Sequence, residues 1–324
     1  MGGDHGPRVC VPGAIEALSQ HPTARLALFG EPSAIEPYLR DTDAALRARI
    51  EVRPTTQVVG MDEGVREAIR RKKDSSLRRA IDAVAAGEAD ACVSAGNTGA
   101  MMGMAHFVLG MIPGVERPAI VSPIPSDTGH TLMLDLGANR DATAAQLAQF
   151  AGMGSVIARD VHGIARPRVA LLNMGAEDIK GNALVQEAHR RLQELPLNYV
   201  GFVEGDGIFS SDVDVVVTDG FTGNVALKAI EGLARLIASV IREEFSANPV
   251  RKLAALGAYP ALNSLKTRLD PRRYNGASMA GLAGVVVKSH GSADEFAFAN
   301  AVRIGMKEAE NGLPARIRAE LGAA

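Results

Sequence analysis

The chain has 324 residues, 47% of them hydrophobic, enough for a sizeable core in one large α/β domain or two smaller ones. A formal net charge of -2, few aromatic residues and no Trp leave neither a global basic footprint nor base-stacking platforms, so nucleic acid is not an expected partner. Two cysteines outside any paired motif, seven scattered histidines and no apolar run of about 18 residues argue against a redox dithiol, a metal centre or a membrane span.

The chain opens on Gly2-Gly3-Asp4-His5-Gly6-Pro7, a Gly-rich turn with Pro7 at a helix start, and a helix is predicted over 12–20. Strands over 26–29 and 50–53 follow, then helices over 62–71 and 77–86. A strand over 91–94, in which Cys92 is a buried small hydrophobe, leads through Gly96-Asn97-Thr98-Gly99 into a helix over 98–109. The apolar stretch 101–111, which takes in most of that helix, reads as buried; a Met-lined wall for an acyl chain is the second reading. A strand over 119–122 precedes Pro123-Ile124-Pro125, an edge strand or extended loop. The strand over 132–135 ends in Leu136-Gly137-Ala138-Asn139, with a helix over 142–159 behind it. Gly152-Met153-Gly154 lies inside that helical pattern and so is no dinucleotide fingerprint.

A strand over 169–172 leads into Asn173-Met174-Gly175 and Lys180-Gly181-Asn182, then a helix over 183–194 and a strand over 199–203. The strand over 213–217 contains three successive valines. It ends in Asp219-Gly220-Phe221-Thr222-Gly223-Asn224, and a helix over 223–245 begins at once. Two helical pieces between 250 and 274, split by Gly257 and Pro260, carry Leu253, Leu256, Leu262, Leu265 and Leu269 among basic residues including Lys266. They form a helical hairpin, roughly 246–275, that packs on the core or a second subunit, or touches membrane or an acidic protein. A strand over 284–287, a turn through His290, a cap at Ser292 and a helix over 294–310 follow.

Strand–helix alternation of this kind means βαβ units and a mostly parallel sheet covered on both faces. No linker divides the chain, so a single α/β domain of two lobes over 1–324 is expected. Each Gly/Asn turn but the first follows a strand. A strand upstream of Met1 is therefore expected, with Met1 an internal methionine. Conformation alone explains any one turn, because Gly and Asn take positive φ and cap helices readily. Four or five turns of one composition point instead to one shared anion-binding mouth at the strands' carboxyl ends. The chain has no Walker A sequence, no nucleophile elbow and no paired Cys motif. An inventory of Asn, Asp, Gly, Thr and Lys suits a reaction whose nucleophile is itself an anion, such as inorganic phosphate. A second basic run, Arg66 to Arg79, is a solvated face or a receptor for an acidic partner or phosphate.

Taken in order, several of these segments resemble the bacterial phosphate acyltransferase (PlsX) family, the acyl-ACP:phosphate acyltransferases. They are the 1–7 turn, Arg70-Arg71-Lys72-Lys73-Asp74-Ser75-Ser76, the Asn97 and Asn139 turns, and Asn173 through Asp178 to Asn182. Glu204-Gly205-Asp206, the 219–224 turn and Lys288-Ser289-His290-Gly291 complete the set. The resemblance covers essentially the whole chain. It implies a three-layer α/β/α fold like that of phosphotransacetylases and isocitrate-type dehydrogenases. It also implies acyl transfer from acyl carrier protein (ACP) to phosphate for phospholipid synthesis, without metal or cofactor. A cytoplasmic homodimer in peripheral contact with the inner membrane face is implied, with a downstream glycerol-3-phosphate acyltransferase as further partner. Lys180 and Asn224 match the family's catalytic positions. Asp4, His5, Gly6, Asn97, Thr98, Gly99, Asn139, Asn173, Asp206, Thr222, Gly223 and His290 are expected to bind or brace substrate. Two other functions fit the residues: a short-chain phosphotransacetylase acting on acyl-CoA, and a non-catalytic scaffold docking ACP or membrane.

Overall fold

Ten strands form in the computed structural model, which describes residues 1–322 except 128, 178, 211 and 269. Asp178, Leu269 and the side chain of Lys266 lie outside the described residues. Strands β1 (Leu26–Gly30) and β2 (Ile50–Pro54) pair in parallel. The other eight are β3 (Ala91–Ser94), β4 (Ala119–Ser126), β5 (Gly129–Leu134), β6 (Val169–Leu172), β7 (Tyr199–Val203), β8 (Val215–Val217), β9 (Ala277–Ala280) and β10 (Val285–Lys288). They form one sheet in the order β3-β10-β9-β4-β5-β8-β6-β7. Only the β10–β9, β9–β4 and β4–β5 pairs are antiparallel.

The valine run shows why the sheet is covered twice. Successive strand residues face opposite sides. Val215 and Val217 accordingly pack with Leu147, Phe150 and Met153 of the Ala144–Val156 helix. Val216 packs on the other side, against Ala226, Leu227 and Ile230 of the Gly220–Ser246 helix. All three valines are fully buried, as a central strand of a three-layer α/β/α fold requires. Cys92 and Met153 are buried as well.

Several boundaries differ from the sequence reading for identifiable reasons. The Pro7–Ser19 helix starts earlier than residue 12 and keeps Pro12 inside it. Strand β4 runs on through Pro123 and Pro125 because it pairs with β9 only over 119–121. The extension is an edge on that side, where a missing N–H is tolerated. Strand β9, Ala-Ser-Met-Ala, carries too little β-branched character to be visible in sequence. Asp294, not Ser292, caps the Glu295–Glu310 helix, accepting from the Ala297 N–H. The Pro249–Gly257 and Tyr259–Arg268 helices meet at Ala258. Pro260 sits in a first turn, where it breaks nothing. Val250, Leu253, Leu256 and Tyr259 of this pair are all more than 60% exposed. No described helix is long and apolar enough to cross a membrane.

Candidate active site

The antiparallel strands β9 and β4 reverse the sheet's polarity, and this divides the expected single mouth in two. The carboxyl ends of β3 and β10 point one way; those of β5, β8, β6 and β7 point the other. Each group has its own internal architecture.

In the first group the Gly2–Pro7 turn lies against the turns after β3 and β10. The Asp4 N–H donates to the Gly291 carbonyl at 2.9 Å. The ammonium of Lys288 is buried where these turns meet and donates to the carbonyls of Ala95 and Ser289. Burial pushes that ammonium down to about 8, against the opposing pull of Cys10 and Asp4. Asn97 is occupied structurally: its Oδ1 accepts from the Ala100 N–H at 3.0 Å. Its Nδ2 donates to the carbonyls of Gly60, Met61 and Glu63 at 3.2, 2.8 and 3.0 Å. His290 Nδ1 lies 2.8 Å from Ser292 Oγ, and the His290 N–H is held by Asn275. Burial lowers the His290 pKa; Glu231 opposes this, and Lys228 and Lys288 add to it. Thr98, Gly99, Asp4 and His5 are exposed, whereas Gly6, half-buried, precedes the Pro7–Ser19 helix as its N-cap.

The second group is organised by Asp135, a residue the sequence reading left unassigned. Its fully buried carboxylate accepts from the N–H groups of Ile120, Gly137, Ala138 and Asn139 and from Asn139 Nδ2, all within 3.1 Å. Asn139 also donates to the Pro118 carbonyl, so its amide braces the loop. The Asp-x-Gly-x-Asn spacing was the available signal. Just after neighbouring β8, Asp219 caps the Gly220–Ser246 helix through the Thr222 N–H and accepts from Thr222 Oγ1. Glycine is required next to it: a Cβ at Gly220 would stand 2.1 Å from the Asn139 carbonyl, and one at Gly223 1.9 Å from that of Asp135.

Asn224 follows directly in the helix, beside Gly137, exposed, its side-chain amide without a hydrogen-bond partner among the described residues. Strand β6, on the other side of β8, leads to Asn173, whose amide donates to the Gly175 carbonyl. Lys180 is on the same excursion and exposed; its backbone bonds Glu177 and Gln186, while its ammonium has no partner among the described residues. Asp206, past the end of β7, is exposed too. Thus Asn97, Asn139, Asn173 and Thr222 hold turns, while Lys180 and Asn224 leave their polar heads available.

The Gly220–Ser246 helix connects the groups. Lys228 and Glu231, four and seven residues beyond Asn224, form a 2.9 Å ion pair, and both act electrostatically on His290. The arrangement offers uncommitted donors on one side and a partly neutralised cationic cluster on the other. It suits an anionic reactant and its developing oxyanion. No described cluster of His, Cys, Asp and Glu could hold a metal ion.

Residues 1–316 match the family described as fatty acid synthesis protein. The chain is 55% identical over 317 residues to the phosphate acyltransferase of Methylococcus capsulatus, covering 98% of this chain and 94% of that one. It is 53% identical over 317 residues to the phosphate acyltransferase of Alkalilimnicola ehrlichii, covering 98% and 93%. Its fold is similar to a phosphotransacetylase from Streptococcus pyogenes, with a TM-score of 0.61 and 16% identity, covering 92% of this chain and 91% of that one.

Proposed function

The chain belongs to the fatty acid synthesis protein family and is an acyltransferase, and we propose that it moves a long-chain fatty acyl group from ACP to inorganic phosphate. The observation that carries this reading is the pair of uncommitted polar heads, Lys180 and Asn224, on turns that leave adjacent parallel strands. Their neighbours of similar chemistry are consumed by turn geometry.

In the proposed reaction Lys180 and backbone N–H groups hold phosphate. A phosphate oxygen attacks the thioester carbonyl carbon, and Asn224 donates to the developing oxyanion. The carbon–oxygen bond to phosphate forms and the carbon–sulfur bond breaks. The departing carrier thiolate takes the proton that the phosphate dianion gives up. Acyl phosphate and free ACP result, and no acyl-enzyme forms. The acyl phosphate is then consumed in acylating glycerol 3-phosphate.

A homodimer in peripheral contact with the inner membrane face belongs to the same proposal. Leu233, Leu236, Ile237 and Val240, exposed along the Gly220–Ser246 helix, support it together with the exposed apolar residues of the 249–268 helices. The test of the chemistry is substitution. Lys180→Ala and Asn224→Ala should each lower acyl-phosphate formation by about 100-fold or more, the scale of one lost transition-state donor, while folding persists. Near-normal rates in both variants would defeat the assignment.

A further inference from the structure

We propose that the Val65–Arg71 helix and the turn after it form the docking surface for the acyl donor's carrier, an acidic protein. This rests on the function proposed above and adds the place where the donor binds. Between residues 66 and 79 the sequence carries seven basic and two acidic side chains, although the whole chain is net negative. Most of the cations are already spoken for. Arg71 pairs with Glu67, Lys72 with Glu63, and Arg78 and Arg79 with Asp82.

Arg66, Arg70 and Lys73 remain exposed and without an ion-pair partner among the described residues. Arg66 and Arg70 are four apart and share a helix face. Lys73 extends that charge into the following turn. Three uncompensated cations steer an acidic surface towards them and cost little to desolvate at an interface rim.

Their position relative to the first group of turns is fixed. Val65 packs so closely on the Thr98–Leu109 helix that a Cβ at Gly103 would stand 2.6 Å from its Cγ1. Asn97, the N-cap of that helix, clasps the preceding 60–63 backbone with three hydrogen bonds. Met61 reaches from this loop to Gly291, where its Cε would be 3.1 Å from an added Cβ. Met61 and Val65 are exposed at 42% and 39%. An apolar strip thus runs from the cations to the His290 turn, which suits an acyl chain delivered by a carrier seated on the basic helix. An anionic membrane is the less suitable occupant. Its apolar contacts are offered by the 249–268 helices, on a different part of the chain.

The experiment compares the native protein with the triple variant Arg66→Glu/Arg70→Glu/Lys73→Glu, using long-chain acyl-ACP and, as a carrier-free donor, the same acyl group on pantetheine. The expected result is a rise of about tenfold or more in KM for acyl-ACP, with loss of its salt dependence and unchanged turnover of the pantetheine thioester. An unchanged KM for acyl-ACP overturns the proposal. So does a variant whose only defect is binding to phosphatidylglycerol vesicles. Failure of the functional reading is separate: the native protein would then release no thiol from either donor in the presence of phosphate.

Discussion

Substituting Gly223 with alanine probes how the fold places Asn224. The added Cβ would stand 1.9 Å from the Asp135 carbonyl oxygen and 3.0 Å from Thr218 Cγ2. Restoring an ordinary contact needs a retreat of roughly 1 Å or more. The Asp135 side cannot supply it. The Asp135 carboxylate is fixed by five hydrogen bonds and its N–H donates to the Thr218 carbonyl at 3.0 Å. The helix's first turn must therefore shift, and Asn224 with it. A misplacement of about 1 Å at a reacting centre is worth on the order of 100-fold in rate. Overpacking costs roughly 1–3 kcal/mol, which a domain of this size survives.

Gly232, in the same helix with nothing within 4 Å of an added Cβ, is the matched control. Gly232→Ala should leave the rate alone and stabilise by about 0.5–1 kcal/mol. The assay is phosphate-dependent thiol release from acyl-ACP, paired with urea unfolding of each variant. A folded Gly223→Ala protein with near-native kcat would mean that the Asp135 carbonyl had yielded and that Asn224 is not held by this contact.

A buried carboxyl and a helix-capping amide give two further outcomes. Glu308 is fully buried against Ser278 Oγ, and burial pushes its carboxyl up to about 8, with Ser278 opposing. Its folded pKa lies above the unfolded one, so its contribution is full below the unfolded value and is lost as pH rises through about 8. Native stability should fall from about pH 5 to 8 relative to Glu308→Gln; parallel pH–stability curves would contradict this. Asn97→Ala removes a helix cap and three bonds to the 60–63 backbone, so stability should drop by roughly 1–2 kcal/mol and protease cleavage near Met61 should accelerate. Unchanged cleavage would show that the loop is held by something else.

The sequence displayed the strands and turns because their signals are local. The valine run, the Gly-Asn turns and Pro7 each declare a backbone state within a few residues. The division of the turns was hidden because it depends on β9, whose four residues carry no local strand signal. Three antiparallel pairings in a row, β10–β9, β9–β4 and β4–β5, decide which way the eight strands point, and pairing is a long-range property. For the same reason composition could not separate Asn224 from Asn97, Asn139 and Asn173. All are asparagines in glycine-rich turns, and only the packed structure shows which amides are spent on carbonyls. Asp135 and Lys288 stood in view in the sequence, but their burial did not.

A single turnover with limiting long-chain acyl-ACP and excess phosphate shows whether phosphate attacks the thioester itself. Free carrier thiol and acyl phosphate should appear together, one for one, with no acyl group on the enzyme by intact-mass analysis. Without phosphate neither should form. Carrier release in the absence of phosphate, or an acylated enzyme preceding acyl phosphate, would exclude direct attack.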